Sequence, residues 1–583
     1  MQIVKTDDIL NNAGLASPQL RALIPNEANY SVMLLQPNGD LEADANGVRH
    51  RNAPLAIQQF SSFLADVRQG SIDLVITPEY STPWNAIRDI ITSDRGPGEG
   101  ALWCLGCESV KYAELEQLKQ DLSALALFLY EPLQPDAQRF LNPLLYLFRT
   151  TNRHTGASCL VALVQFKTFP MAGDNDHFEI NGMARGSTIY AFGGTDEQIR
   201  LVSLICSDVL DFTDPHAAQI YDRAIVLHIQ LNPKPRQTQF RQYRSKLFRT
   251  KDDVTELLCV NWAKDVNMTF KGASTCWHNV AGTVWYLRPR DFDGRDPALV
   301  SNHRGGMYYT WCPSLRTHVM FFNCAPAAFL LTATKVFHRN VVAVQSRRIG
   351  PRLTTMFGWD ATSARWVPAA PDDNFAALLS SSGAALTELQ SLASNNPFNA
   401  ERVLALSAGQ LGGKDRWHDV QELDSCTILE CETIRRVTFC QDSEPDALQF
   451  RQQRVNRLRR LWEEILPVAV HLPTSLIDLQ VGKTLAWTPD APHQNLLTPS
   501  GKRATAIYLG EDVTVDQAMN VKTEVAEYLR RASRDHDHEV ESKQRLAVWF
   551  RNGNGTIELA GRDQYIRFDE PRTGSPVDVA RTT

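Results

Sequence analysis

Apolar, β-prone runs recur through the first 345 residues, and stretches of helical periodicity separate the earliest of them. The opening pattern is "YSVMLLQ" (30–36), then "APLAIQQFSSFLADVRQ" (53–69), then "IDLVITPEYS" (72–81). The outer two carry the β-branched and aromatic residues that suit a pleated surface, while the middle one spaces its apolar residues as one face of a helix. Strand, helix, strand predicts neighbouring strands joined by a crossover, and hence an α/β fold. "YAELEQLKQDL" (112–122) predicts a further helix. "ALWCLGCESV", "LALFLYEPL", "LLYLFRTT", "CLVALVQFK", "TIYAFG", "IRLVSLIC", "AIVLHIQLN" and "ELLCVNWA" predict strands, with more near 280–290 and 307–324. Many of these runs are apolar on both faces, as in a sheet covered by a second layer.

Residues 1–27 read as a helical lead-in and 28–345 as one α/β unit; 346–583 differ. There "FAALLSSSGAALTELQSLA", "FRQQRVNRLRRLWEEIL" and "VTVDQAMNVKTEVAEYLRRA" predict helices, and "RLAVWFRNGNGTIELA" predicts a hairpin through its Asn-Gly repeats. Val455, Leu458, Leu461 and Trp462 fall on one helical face, suited to core packing or to a partner. The expectation is a mainly helical α+β C-terminal domain of unknown role, with partner binding as one use, ending in a loose tail, "DEPRTGSPVDVARTT". A length of 583 residues agrees with about two to four domains at roughly 100–200 residues each.

A net charge of −6 gives no general attraction to nucleic acid or to an anionic membrane. No apolar run approaches the ~20 residues of a membrane-crossing helix, and the N-terminus lacks the pattern of a secretory signal. Eleven cysteines without a regular framework predict reduced thiols and a cytoplasmic protein. "CLGC" (104–107) is a lone pair in an apolar run, better read as buried strand than as zinc site, and "RDHDHEVE", with His536 and His538, as a solvated charged loop. "LQVGKT" (479–484) lacks the first glycine of a phosphate loop, and no G-x-S-x-G elbow occurs.

Three strand ends carry chemistry. In "LVITPEYS", Pro78 ends ladder pairing and leaves Glu79 at a strand tip, where a carboxylate with apolar neighbours can serve as a base. In "LVALVQFKTFP", Lys167 closes a strand; it is either a snorkelling surface group or an ammonium aimed at a developing oxyanion. In "IRLVSLICSD", Cys206 is either a buried thiol or a nucleophile. Singly, each has its ordinary structural reading. Together, as three tips on the same edge of a sheet, they form a complementary set of base, cation and thiol.

The ordered trio "TPEYS", "QFKTF" and "ICSD" resembles the glutamate, lysine and cysteine strand ends of the nitrilase, or carbon–nitrogen hydrolase, superfamily. The resemblance covers about residues 28–345 and implies a four-layer α-β-β-α sandwich whose protomers pair across an outer helical face as a homo-oligomer. It also implies catalytic roles for Glu79, Lys167 and Cys206, without metal or organic cofactor. A second glutamate of the family is matched by Glu179 in "HFEINGMARG", and Asn232, after the strand that follows the cysteine, would help wall the pocket. The expected activity is hydrolysis of a small-molecule amide or nitrile through an acyl-thioester. The alternative is a silent, nitrilase-like binding or sensor module working in an assembly through residues 346–583. The helix with Arg241, Arg244, Lys246 and Arg249 reads as a solvated face rather than a nucleic-acid surface.

Overall fold

The computed structural model describes residues 1–44, 46–133, 138–171, 178–193, 198–220, 223–233, 235, 238–248, 254–277, 283–288, 297–312, 315–336, 350–370, 384–395, 397–409, 445–488, 490–491, 493–511 and 513–561. The chain divides into two compact units, Met1–Asp372 and Asp373–Thr583.

Two large mixed sheets build the first unit. Among the described residues, one has nine strands in the order Arg365–Pro368, Arg352–Asp360, Ala327–Thr334, Asn29–Gln36, Leu74–Thr82, Leu102–Cys107, Pro143–Thr151, Ser158–Phe166 and Leu127–Tyr130. The other has eight: Gln2–Lys5, Thr188–Phe192, Arg200–Ile205, Ala224–Ile229, Thr255–Val260, Val284–Leu287, Thr317–Phe322 and Met307–Cys312.

The sheets lie against each other. Gln165, from the first, donates to the Ser203 carbonyl (2.9 Å) and accepts from the Tyr190 N–H (3.0 Å) of the second. Tyr146 meets Phe192 at 4.9 Å between ring centroids, and Phe329 meets Phe322 at 5.0 Å.

The outer face of the nine-stranded sheet is covered by helices Ala53–Gln69 and Trp84–Thr92. Phe60, Phe63, Leu64, Val67, Ile87 and Ile90 pack there with Val75, Trp103, Leu105 and Leu145. Successive strand residues point to opposite faces, so Leu74, Ile76, Cys104 and Tyr146 fill the interface between the sheets. Both faces are thus buried, which is why the strands read as unbroken apolar runs. Helix Ala53–Gln69 starts where the Asn52 side chain accepts from the Leu55 N–H, with a proline in its first turn.

Three features differ from the sequence expectation. The lead-in is not wholly helical: Gln2–Lys5 pairs in parallel with Thr188–Phe192 before helix Thr6–Asn12 begins. Four half-polar residues carry too short a period to announce a strand, and the pairing is supplied from far along the chain. The unit also runs past residue 345 to Asp372, because Arg352–Asp360 pairs with Ala327–Thr334 and Trp366 donates to the Gln59 carbonyl on the covering helix. Finally, a separate four-stranded sheet, Ala273–Trp277, Val266–Phe270, Asp40–Asp44 and Gly47–His50, stands beside the Glu79 strand.

In the second unit, strands Arg503–Tyr508 and Leu546–Arg551 run parallel at the centre of a five-stranded sheet, with helix Val515–Ala532 between them in sequence. That helix buries Ala518, Val525 and Leu529. Thr514 and Gln517 cap it reciprocally, each side chain bonding the other's backbone N–H. The Asn-Gly hairpin forms as expected, Leu546–Arg551 pairing with Ile557–Leu559. Val455, Leu458, Leu461 and Trp462 are all buried. His536 and His538 sit in helix His536–Gln544 rather than in a loop, because the Asp535 side chain accepts from the His538 N–H and starts a turn. The expected tail 569–583 lies outside the described residues, as does the start of the first C-terminal helix, of which Ala384–Asn395 is described.

Candidate active site

The Glu79 strand is regular as far as Thr77, which pairs with Leu105; pairing resumes only at Thr82, opposite Cys107. Pro78–Ser81 therefore bulge out against the single residue Gly106. A Cβ on Gly106 would lie 2.1 Å from the Pro78 carbonyl oxygen, so only glycine admits the bulge. The Thr77 and Thr82 hydroxyls close its neck at 2.7 Å, and Ser81 Oγ donates to the Pro78 carbonyl at 2.7 Å. This geometry throws the Glu79 side chain out of the ladder. Trp262 Nε1 pins the Glu79 carbonyl at 2.8 Å.

Lys167 follows directly on strand Ser158–Phe166, and Cys206 opens the 3-10 turn Cys206–Asp211 directly after strand Arg200–Ile205. The three strand tips do not share a sheet edge, contrary to the sequence reading. Glu79 and Lys167 come from the nine-stranded sheet and Cys206 from the facing eight-stranded one. They meet because the sheets are stacked.

Lys167 Nζ lies 2.8 Å from Glu79 Oε1 and 2.8 Å from both oxygens of Glu179. Glu79 Oε1 also accepts from Asn142 Nδ2, and its Oε2 from the Leu231 N–H, both at 2.8 Å. The Cys206 thiol sits within electrostatic reach of Glu79, Lys167 and Glu179. Tyr80 OH donates to Glu179 Oε1 at 2.7 Å. Glu179 is not a solvated residue; it sits on the short helix Phe178–Gly182, and its Oε2 accepts from the Met171 N–H at 2.6 Å. Glu79 and Lys167 are each 1% exposed, and Cys206 and Glu179 each 3%.

Burial sets the electrostatics. It raises the Glu79 carboxyl, against the pull of Lys167 and with the push of Glu179. It would lower Lys167, but the carboxylates of Glu179 and Glu79 outweigh it and hold the ammonium charged. It raises the Cys206 thiol far up, and the neighbouring Glu79 adds to this. The resting cluster is one ammonium between two carboxylates, with a neutral thiol beside them.

Cys206 has φ +43°, a left-handed conformation costly for a residue with a Cβ. Asp208 holds the turn. Its Oδ1 accepts from Thr168 N (2.7 Å), Thr168 Oγ1 (2.9 Å) and Phe169 N (3.0 Å), and its Oδ2 from Ile205 N (3.0 Å). One carboxylate thus ties the loop after Lys167 to the turn at Cys206. Asn142, Leu231, Tyr80 and Asp208 were not singled out from the sequence; the aspartate in "ICSD" was the one local signal for any of them.

Asn232 is buried one residue beyond the site's edge. Its N–H goes to Asn261 Oδ1 (3.1 Å) and its side-chain amide to Gln230 Oε1 (3.3 Å), while the preceding Leu231 touches Glu79. On the basic helix Thr238–Leu247, Arg244 departs from the expected solvated face. Arg244 is buried, donating to the Pro235 carbonyl and lying 5.5 Å from the Tyr286 ring, because its planar guanidinium can stack inside where a lysine would not. Arg249 and the Arg241 side chain lie outside the described residues. Cys104 and Cys107 are buried on strand Leu102–Cys107. Among the described residues, no three His, Cys, Asp or Glu side chains are grouped to hold a metal ion, and no helix is long and apolar enough to cross a membrane.

No family model and no curated protein matches the sequence. Solved structures do. The glutamine-dependent NAD+ synthetase from Acinetobacter baumannii matches at 10% identity and TM-score 0.30, over 55% of this chain and 49% of that one. An amidase from Nesterenkonia sp. matches at 13% identity and TM-score 0.26, over 46% and 85%. XC1258 from Xanthomonas campestris matches at 14% identity and TM-score 0.26, over 44% and 83%. The chain thus spans about half the length of the synthetase. With TM-scores of 0.30 and below, what the chain does rests on its own side chains. The solved structures to which it is similar include members of the CN-hydrolase, or nitrilase, superfamily.

Proposed function

We propose that this chain is a thiol-dependent hydrolase of non-peptide carbon–nitrogen bonds, acting on a small amide or nitrile. The observation that carries this reading is one buried ammonium bonded to two carboxylates, with a buried thiol from the facing sheet within their electrostatic reach. Unlinked charges in such a place would be costly, so the cluster has a use beyond packing.

With the thiol neutral at rest, base catalysis accompanies attack. Glu79 takes the Cys206 proton as sulfur bonds to the substrate's carbonyl carbon, and the carbonyl electron pair moves onto oxygen. Negative charge leaves Glu79 and reappears on that oxygen, so the total in the site is unchanged. Lys167, already 2.8 Å from Glu79 Oε1, loses its hold on a carboxyl that has become neutral and turns that donor to the oxyanion. Glu179 keeps the ammonium in place through its two oxygens. Collapse breaks the C–N bond, and the leaving amine takes the proton from Glu79. Water then gives a proton to Glu79 and attacks the acyl-thioester; the C–S bond breaks and the thiol recovers its proton. A nitrile takes up the thiol to give a thioimidate; one water adds to it and ammonia leaves, giving the same acyl-thioester, which a second water cleaves.

The stacked sheets, with helices on the outer face of one, support a four-layer α-β-β-α architecture. All four groups belong to Met1–Asp372; for the second unit the proposed role is binding a protein partner. The test is ammonia release from a panel of simple carboxamides and nitriles. Turnover is expected in the wild type and none in Cys206→Ala, with a transient acyl mass on Cys206. Equal release by Cys206→Ala would sink the mechanism. No turnover together with a stoichiometric co-purifying protein would favour the binding-module reading.

A further inference from the structure

His228 interrupts the apolar strand Ala224–Ile229, where its neighbours Ile225, Val226, Leu227 and Ile229 are fully buried. That strand pairs in parallel with the Cys206 strand, His228 standing opposite Leu204. An apolar side chain would fill the space at less desolvation cost, so a buried imidazole here calls for partners. It has three. Nε2 lies 2.9 Å from the Cys206 carbonyl oxygen, and Nδ1 lies 2.6 Å from Tyr243 OH and, more weakly, 3.9 Å from the Cys259 thiol. A carbonyl only accepts, so Nε2 carries the proton. Nδ1 is then an acceptor, and Tyr243 donates to it. The tautomer is thereby fixed. The ring is also held in plane: Phe240 stacks on it at 6.1 Å and 19°, and Tyr243 meets it edge-on at 5.1 Å and 86°.

We infer that His228, oriented by Tyr243, is a positioning residue for the nucleophile: its Nε2–H grips the Cys206 carbonyl and keeps the left-handed turn that aims the thiol at Glu79. The inference rests on the hydrolase reading above. Cys206 is held from both sides. Ahead of it Asp208 accepts the Ile205 N–H, and behind it His228 donates to the carbonyl. At φ +43° a residue with a Cβ relaxes toward negative φ unless its flanking peptides are tied, and relaxation would swing the thiol off the carboxylate. A neutral donor suits the place, since an imidazolium would add a second cation beside Lys167. Burial keeps the imidazole neutral, with its pKa lowered to about 3.

The test is the rate at which iodoacetamide labels Cys206 in the full chain, read as a site-resolved peptide mass, with thermal midpoints recorded alongside. His228→Gln places an amide N–H near the position of Nε2 and is expected to label within about threefold of wild type. His228→Leu keeps the bulk without the donor and is expected to label at least about tenfold more slowly, the scale of a misplaced reacting group. Tyr243→Phe, which leaves Nδ1 only the weaker Cys259 thiol, falls between. On any substrate the panel yields, His228→Leu lowers kcat and leaves KM unchanged.

Wild-type labelling in His228→Leu, or equal slowing in the Leu and Gln variants, overturns the inference. If the Leu variant does not fold, wild-type labelling in Tyr243→Phe does so. Glu79→Gln is labelled in parallel. An unchanged rate there overturns the base assignment itself, whereas slowing in Glu79→Gln with none in His228→Leu removes the positioning role alone.

Discussion

Asp208 holds two loops with four hydrogen bonds, three to one oxygen and one to the other. Asparagine has one acceptor oxygen, so in Asp208→Asn an NH2 must face at least one backbone N–H. The expected loss is ~1–3 kcal/mol of stability, read from urea unfolding, with slower Cys206 labelling; an unchanged midpoint would show that the aspartate holds nothing. Residues of this kind were hard to see in the sequence. Glu79, Lys167 and Cys206 stand out because each is a chemically loaded residue closing an apolar run. Asn142, Asp208 and His228 act through partners 63, 40 and 22 positions away. Nothing near Asn142 or His228 sets them apart from an ordinary loop amide or strand histidine, and Asp208 has only its place in "ICSD" to mark it.

At the scale of elements, strands and the helix 53–69 were legible because apolar period and length decide them. What stayed hidden was membership. A strand end announces itself, but the sheet to which it belongs is settled by pairing between distant segments. Cys206 was therefore expected on the same sheet edge as Glu79 and instead faces it from the second sheet. The four-residue strand at Gln2–Lys5 was lost for the same reason. The bulge that presents Glu79 depends on its neighbour: Gly106→Ala sets a methyl 2.1 Å from the Pro78 oxygen, with the Glu79 Cα 2.9 Å away. That variant is expected to unfold at lower temperature than wild type and to label more slowly at Cys206. Labelling at the wild-type rate would mean that the bulge does not position the carboxylate.

For the molecule as a whole, buried imidazoles set a response to acid. His228 and His318, each lowered by burial from 6.5 to about 3, stay neutral in the folded chain while the unfolded chain protonates them. Between those values the unfolded state binds more protons, so their effect is to lower stability as pH falls from 6.5 toward 3, with no effect above that window. Glu79 and Asp208, raised by burial, push the other way. The clean reading is therefore the difference between wild type and His228→Gln: the variant's thermal midpoint is expected to drop less steeply across the window. Parallel curves would mean that His228 is charged in the fold.

The left-handed backbone at Cys206 has one more consequence. Glycine is at ease there and cysteine is not, so replacing the thiol proposed as nucleophile by glycine would make the chain more heat-tolerant. At that position robustness and reactivity pull against each other, and a search that rewards resistance to heat alone would drift toward an inert protein.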